Sequence, residues 1–194
     1  MFAIESVAMG TVIDFETGAV AQLQRRVAQA EEDNRDLLAF ARGHSGATAA
    51  IHSAVLAAIE ADGLDHLLHI VTQQWPDILG VDAVSLALYV GDTGIRADIA
   101  GMQFVERRLI EKAAADIDGV VLRDCDKGHP LLGPASEFVR AEALVRIVND
   151  APLPSGLLAL GQRESQNMET HEGAELLGFL GDSLARLLGR WLLP

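Results

Sequence analysis

The C-terminal part of the chain combines a short apolar run with a long amphipathic segment. The run is LLAL at 157–160, and a glycine stands on each side of it. Four consecutive apolar residues between glycines predict a strand that is buried on both faces. After a polar connection, HEGAELLGFLGDSLARLLGRWLLP at 171–194 predicts a helix with one apolar stripe. The stripe consists of Leu176, Leu180, Leu184, Leu187 and Trp191. We therefore expect a sheet with this helix packed against it.

Length and composition place the chain among globular proteins. With 194 residues, 49% of them hydrophobic, it is long enough to bury the core of one domain and to carry an extension. The first fifteen residues lack the basic start of a secretory signal, and the single Cys125 can form no intramolecular disulfide. A net charge of −13 disfavours binding to nucleic acid or anionic lipid. We therefore expect a cytoplasmic protein without a nucleic-acid or membrane partner.

The segment 17–43 has the pattern of a coiled-coil helix and follows a short lead-in at 1–16. Thr17 is suited to cap the helix and Gly43 to end it. Asn34 falls at a core position of the heptad repeat, where a polar residue favours an in-register pair of helices. The predicted dimer interface consists of Val20, Leu23, Val27, Ala30, Asn34 and Leu37. The alternative is a helix that packs on its own domain.

The remaining residues, 44–194, are expected to form one domain. HSGATAA at 44–50 is small and polar, which predicts a hinge. Helices are predicted at 48–62, 63–80, 104–115 and at the C-terminal end, and strands at 83–90, 95–100, 119–125, 143–149 and 156–162. Successive strands pair mostly as antiparallel neighbours. The predicted fold class is therefore α+β, with one antiparallel sheet and helices packed on one face.

Four stretches of the chain resemble a known family. They are VIDFETGAVAQLQRRV (12–27), FVRAEALVRI (138–147), SGLLALGQRE (155–164) and HEGAELLGFLGDSLARLLGRWL (171–192). Their order resembles the GAF-like sensor domain and, more narrowly, the bacterial family of unknown function DUF484. The resemblance implies a cytosolic protein with an N-terminal helix before a GAF-like domain, and an activity that has not been assigned. The asparagine-lysine-phenylalanine-aspartate-glutamate signature of nucleotide-binding GAF domains is absent from the sequence.

Few residues suggest catalysis or metal binding. His66 and His69 lie three residues apart on a predicted helix, but a zinc site would need further ligands, which favours a solvated pair. DCDKGH at 124–129 begins like a calcium loop, yet His129 stands where a glycine is required. Cys125 precedes His129 by four residues, and nothing in this spacing brings them together. We therefore predict no metal site and no enzymatic activity, and leave the cofactor open.

Two arginines interrupt apolar strands and are the best candidates for ligand binding. Arg123 and Arg146 must each face solvent or find a partner. The resemblance implies that one face of the sheet lines a ligand cavity, where either guanidinium could hold a carboxylate or phosphate. Ser85 and Tyr89 are expected to line the same pocket. The alternative is a salt bridge at the sheet margin to Glu137, Glu142 or Asp124.

These observations lead to two hypotheses about function. The first is a non-enzymatic, dimeric GAF-like sensory or regulatory module that binds an unidentified small molecule in a pocket over its sheet. The alternative is a scaffold or adaptor that uses the same fold and N-terminal helix to bind a partner protein, with a vestigial pocket. A filled apolar core between the sheet and residues 101–138 would favour the alternative.

Overall fold

The structure is a computed structural model that describes residues 15–150, 153–164 and 171–192. The side chains of 15–24, 33–42, 44, 171–172 and 192 lie outside this description. The chain divides into two units, Met1–His44 and Ser45–Pro194. Most of the predicted lead-in at 1–16 lies outside the described residues.

The first helix, α1, extends from Phe15 to Ile59 and includes the predicted coiled-coil segment. The helix continues past Gly43, where the sequence predicted its end, and through the segment predicted as a hinge at 44–50. Glycine costs a helix only about 1 kcal/mol relative to alanine, and the residues after Gly46 are rich in alanine. In the predicted interface Val27 is 55% exposed and Ala30 is exposed. The side chains of Val20, Leu23, Asn34 and Leu37 lie outside the described residues.

A second helical stretch has three parts instead of the single helix predicted at 63–80. They are α2 at Leu64–His69, a π-helical segment at Ile70–Gln74 and α3 at Trp75–Leu79. Trp75 is 1% exposed, and its indole Nε1 donates a hydrogen bond to the Ala54 carbonyl oxygen over 3.0 Å. Gly80 ends the stretch in the left-handed conformation, with a φ of 66°.

Six antiparallel strands form one sheet in the order β3-β2-β1-β6-β5-β4. The strands are β1 at Ala83–Val90, β2 at Thr93–Asp98, β3 at Gly101–Val105, β4 at Val120–Asp124, β5 at Ala141–Ile147 and β6 at Ser155–Gln162. Between them lie α4 at Arg107–Ala115 and a 3₁₀ segment at Pro130–Glu137. The final helix, α5, is His171–Leu192. The predicted α+β class is confirmed.

Strand β3 corrects the sequence interpretation, which began a helix at Phe104. The helix α4 starts only at Arg107, and the residues before it form an edge strand paired with β2. Strand β3 leaves Phe104 80% and Met102 58% exposed. Four of the five residues of β3 are exposed. The strand therefore carries no alternating burial pattern, and the helical periodicity that follows it dominates the sequence signal.

The sheet has a hydrophobic core on each face. On the first, here called the α5 face, Leu180, Leu184 and Leu188 of α5 join residues of β1, β5 and β6. On the second, the α4 face, residues of α4 and of the 3₁₀ segment pack against alternate residues of the same strands. Residues of a strand point alternately to the two faces, which separates the cores.

Candidate functional site

The structure places all four predicted ligand-binding residues on the α4 face. Ser85 is paired in register with Ala159, and Arg146 with Leu157, and both partners belong to the core on this face. Tyr89 lies four residues after Ser85 on the same strand. Arg123 is opposite Glu142 and therefore shares its side of the sheet. Alternation along β1 puts Ser85 and Tyr89 on one face, and the pairing register of β4, β5 and β6 brings Arg123 and Arg146 to the same face.

The centre of the α4 face is filled by side chains. Ile110 and Ala114 of α4 and Leu131 of the 3₁₀ segment pack over it, each at most 4% exposed. Beneath them lie the strand residues Ala87, Leu144, Leu157 and Ala159. This is the filled apolar core between the sheet and residues 101–138 that would favour a vestigial pocket.

Ser85 and Tyr89 make structural contacts on this face. Ser85 is 1% exposed, and its hydroxyl donates to the Leu131 carbonyl oxygen over 2.7 Å, which ties the 3₁₀ segment to β1. The guanidinium of Arg107 lies 5.3 Å from the Tyr89 ring centroid, a cation–π distance. The hydrogen-bonded carboxylate of Glu111 raises the pKa of Arg107. Arg146 is exposed, and none of the described side chains forms an ion pair with it.

Arg123 pairs with Glu142, one of the alternatives considered from the sequence. Its Nε and Nη2 donate to Glu142 Oε1 over 2.8 and 2.6 Å. The carboxylate is fully buried, and its second oxygen accepts the backbone N–H of His129 over 2.5 Å. Each oxygen therefore has a donor, as a buried charge requires. The carboxylate of Glu142 thus compensates the charge of Arg123. Its bond to the His129 N–H anchors the loop at 126–129 to the sheet.

Cys125 and His129 lie near this ion pair but are not activated by it. Burial raises the pKa of the Cys125 thiol, and Glu142 adds to the effect. Burial lowers the pKa of His129, whose Nδ1 accepts the Leu131 N–H over 3.2 Å. No hydrogen bond joins Cys125 to His129 within the described structure. A nucleophilic cysteine needs a lowered thiol pKa or an adjacent base, so this arrangement does not favour covalent catalysis.

A cleft of about 510 Å³ opens at one end of the sheet. Five parts of the chain meet there. The helical stretch contributes its π-helical segment and the start of α3, and the sheet contributes the start of β1, the β2–β3 turn and the residue after β6. The fifth part is the 3₁₀ segment with Phe138 after it. Its lining includes Gln73, Pro76, Val81, Ile99, Leu132, Ala135 and Phe138. The volume is within the usual range for small-molecule sites, and apolar walls with a few polar groups are typical of them.

The charged groups of the cleft are three aspartates and one arginine. The Arg163 guanidinium lies 4.5 Å from the Phe138 ring centroid, and its Nε is 3.4 Å from Asp82 Oδ1. Asp98 is 4% exposed and accepts from Arg96 Nε over 3.1 Å. Asp77 is exposed, and among the described residues no group pairs with it. Asp82 and Asp98 are each paired with an arginine, so Asp77 carries the one negative charge that remains uncompensated among the described residues of the cleft.

Sequence reasoning missed this cleft because its members are far apart in the chain. Phe138 and Arg163 are 25 positions apart, and they meet only because β5 and β6 are neighbours. The one available signal was Arg163 directly after the apolar strand, since residues at strand ends often line sites.

The described residues contain no group of three or more histidine, cysteine, aspartate or glutamate residues placed to hold a metal ion. Instead, His66 Nδ1 lies 2.8 Å from Asp62 Oδ1. Within the same residues, no helix is both long and apolar enough to cross a membrane.

Comparison with known proteins identifies a family and a fold. A family model described as "Protein of unknown function, DUF484" matches residues 4–193. No protein among the curated sequences matches the chain. The GAF domain of a phosphoenolpyruvate-protein phosphotransferase from Coxiella burnetii superposes with a TM-score of 0.53 at 15% identity, over 76% of this chain and 95% of that one.

Two further solved structures share the fold. The free methionine-R-sulfoxide reductase of Neisseria meningitidis superposes with a TM-score of 0.53 at 17% identity, over 72% of this chain and 86% of that one. A bacteriophytochrome from R. palustris superposes with a TM-score of 0.52 at 14% identity over 73% of this chain, but the match spans only 37% of that protein. The predicted GAF-like fold is confirmed.

Proposed function

The chain belongs to the DUF484 family of proteins of unknown function, and we propose that it is a non-enzymatic regulatory module that binds a small molecule in the cleft at the sheet end. The observation that carries this proposal is the cleft itself, with a volume of about 510 Å³. The α4 face, where the sequence placed the ligand, is occupied by packed side chains. We therefore move the expected site from the centre of the sheet to its end.

The charges of the cleft favour a ligand that brings a positive charge. Asp82 is paired with Arg163 and Asp98 with Arg96, which leaves Asp77 unpaired among the described residues. The ring of Phe138 and the side chains of Ile99 and other apolar residues provide contacts for a hydrophobic body. We propose a small organic amine with an apolar part as the ligand class.

The non-enzymatic part of the proposal depends on the reactivity of Cys125, the single cysteine of the sequence. One protein with this fold is a reductase by name, so the fold by itself does not decide the question. Burial raises the pKa of the Cys125 thiol, which reduces the thiolate needed for nucleophilic chemistry. His129 Nδ1 accepts the backbone N–H of Leu131, so this nitrogen is not free to act as a base for the thiol.

We further propose that the module acts as a cytoplasmic dimer joined through α1. The heptad pattern at 17–43 supports this, and Val27 at one of its core positions is 55% exposed. An apolar seam that is exposed in one chain is expected to be buried by a second chain. The cytoplasmic location rests on the single cysteine, which can form no intramolecular disulfide.

Native mass spectrometry of the purified full chain, followed by a denaturing spectrum, tests the cleft. Extra mass that disappears on denaturation would reveal a retained ligand, and we expect it to contain an amine. Ala135→Phe, which fills the cleft, should reduce its occupancy. Ala115→Phe, at an exposed position of α4, is the matched control and should leave occupancy unchanged. A ligand that both variants retain equally would contradict the assignment to the cleft.

A second candidate function, the protein adaptor, is favoured by the filled α4 face and by the edge strand β3. Phe104 and Ile99 are 80% and 76% exposed beside an unpaired strand edge. Exposed apolar edges are sites where a partner can add a strand. Photo-crosslinking from position 104, with the exposed Glu111 as control position, tests it. A partner that crosslinks equally from both positions, or from neither, would contradict docking at β3.

A further inference from the structure

Arg163 places a side chain with the same sign of charge as the proposed ligand inside the cleft. Its guanidinium Cζ lies 4.5 Å from the centroid of the Phe138 ring, and its Nε lies 3.4 Å from Asp82 Oδ1. All three residues line the cleft. An aromatic face beside a carboxylate is suited to an organic cation, because the ring attracts the charge and the carboxylate pairs with it. Phe138 and Asp82, here called the cation subsite, therefore already hold a cation of the chain itself.

The Asp82 carboxylate is held in place independently of the Arg163 side chain. Its Oδ2 accepts the backbone N–H of Arg163 over 2.8 Å, a bond that any residue except proline can make at this position. The backbone N–H of Asp82 donates to the Gly161 carbonyl oxygen over 2.9 Å, which fixes Asp82 to the end of β6. Asp82 Oδ1 therefore stays in position for another cation when the guanidinium moves away.

The Arg163 side chain is held more loosely than the other arginine paired with an aspartate of the cleft. It is 63% exposed, and its contact with Asp82 is longer than a usual charged hydrogen bond. By contrast, Arg96 is 13% exposed and donates hydrogen bonds to both Asp98 and Gln103. Since an exposed ion pair contributes little to stability, exchanging Arg163 for another cation costs the fold little.

We propose that the cation subsite binds a guanidinium group of the ligand, which displaces the Arg163 side chain. This role rests on the proposed function of the cleft and narrows the ligand class from organic amines to guanidines. A guanidinium is planar, so it can stack on the Phe138 ring while its N–H groups donate to Asp82 Oδ1, whereas an ammonium group is a compact charge that cannot stack. The apolar body of the ligand would contact Pro76 and Val81. Arg163 lowers the affinity for the ligand because it competes for the same groups.

Calorimetric titration of the full chain with phenethylguanidine and with phenethylamine tests the proposal. The two probes carry the same charge and the same phenyl ring, and they differ only in the cationic group. We expect phenethylguanidine to bind roughly fivefold more tightly, the effect of about one further hydrogen bond. Phe138→Leu should reduce this preference. In nuclear magnetic resonance spectra, the Arg163 Nε–H signal should show the ring-current shift of Phe138 in the free chain and lose it when phenethylguanidine binds.

Arg163→Gln removes the internal competitor and keeps the backbone N–H that holds Asp82. If the Arg163 guanidinium covers the ring about four-fifths of the time, this substitution should raise the affinity for phenethylguanidine about fivefold. Arg186→Gln, at an exposed position of α5, removes the same charge outside the cleft lining and should leave the affinity unchanged.

The outcomes separate this proposal from that of the cleft. Equal affinities of the native and Arg163→Gln chains for phenethylguanidine, equal affinities of the two probes for the native chain, or an Arg163 signal that bound probe leaves unchanged would overturn displacement of Arg163 and leave the cleft as an amine site. Binding of neither probe to the native chain or to Arg163→Gln would overturn both proposals, as would undiminished binding of both probes to Ala135→Phe.

Discussion

The Arg123 guanidinium donates two hydrogen bonds to a single oxygen of Glu142, whose side chain is fully buried. The other carboxylate oxygen accepts the backbone N–H of His129. A charge buried in this way is tolerated only when it is paired and hydrogen-bonded. The pair thus explains why an arginine interrupts strand β4, and it joins β4, β5 and the loop at 126–129.

Arg123→Ala should destabilise the fold by about 1–2 kcal/mol, since Glu142 would lose two hydrogen bonds from a charged donor. The expected loss is small because half of the Arg123 side chain is exposed to solvent, which screens the pair. Urea unfolding measures the change in the free energy of unfolding. Arg108→Ala, at an exposed position of α4, is the control and should have little effect. Equal effects of the two substitutions would contradict a structural role for the pair.

Stability should fall as the solution is acidified, in part because of His129. Burial lowers the pKa of His129 in the folded chain, Glu142 opposes this and Arg123 adds to it. As the pH falls below about 6.5, the unfolded chain takes up the proton first, so protonation favours unfolding.

His129→Asn removes this titration and keeps an acceptor for the Leu131 N–H. Urea unfolding at about pH 7.5 and about pH 5.5 should show a smaller loss of stability in the variant than in the native chain. The difference at the higher pH reports the effect of the substitution itself. An equal or larger loss in the variant would show that His129 does not contribute to the acid sensitivity.

Cys125 should react slowly with thiol reagents. Burial raises the pKa of its thiol, with a further contribution from Glu142, so little thiolate is present near neutral pH. Alkylation by iodoacetamide should be slower in the folded chain than in the same chain unfolded in urea. A folded-state rate above the unfolded-state rate would indicate an activated cysteine and would contradict the non-enzymatic proposal.

Two glycines of α5 should respond in opposite directions to alanine. A Cβ atom at Gly181 would lie 2.5 Å from Val145 Cγ1, so Gly181→Ala forces the helix away from β5 and should destabilise the fold by about 1–3 kcal/mol. At Gly178 the nearest atom to such a Cβ is 3.9 Å away, and Gly178→Ala should stabilise the helix by up to about 1 kcal/mol. Thermal unfolding monitored by circular dichroism distinguishes them. Stabilisation by both changes would show that Gly181 does not serve close packing.

Asn34→Leu should strengthen self-association or change its stoichiometry, if Asn34 lies in a helix seam. Polar residues at such positions reduce stability but specify a two-stranded arrangement. Sedimentation equilibrium of the full chain measures the mass. Gln22→Leu, outside the seam in the heptad pattern, is the control and should leave association unchanged. An unchanged mass for Asn34→Leu would place this residue outside the interface.

Several elements of the fold were predictable because their signals are local. Strand β1 alternates apolar and small residues, and the stripe of α5 follows helical spacing. Strand β3 was not predictable, because its short exposed pattern merges with the helix that begins at Arg107. The continuation of α1 past Gly43 was missed because glycine is a weak helix terminator when alanine-rich sequence follows it.

The candidate sites were less accessible from the sequence than the fold. A charge in an apolar strand needs a partner, so the position of Arg123 predicted an ion pair as one alternative. The sequence did not decide which acidic residue would be that partner. The cleft depends on residues that are distant in the chain, such as Phe138 with Arg163. Sequence periodicity carries no information about contacts between residues so far apart in the chain.

The sequence by itself determined the α+β class and the family, because each follows from periodicity or from matched segments. The tertiary structure alone decided that the four predicted ligand residues share the α4 face, that this face is filled, that Glu142 compensates the charge of Arg123 and that open space lies at the sheet end. Periodicity belongs to each segment separately. The space left between packed segments depends on the volumes of all their side chains together.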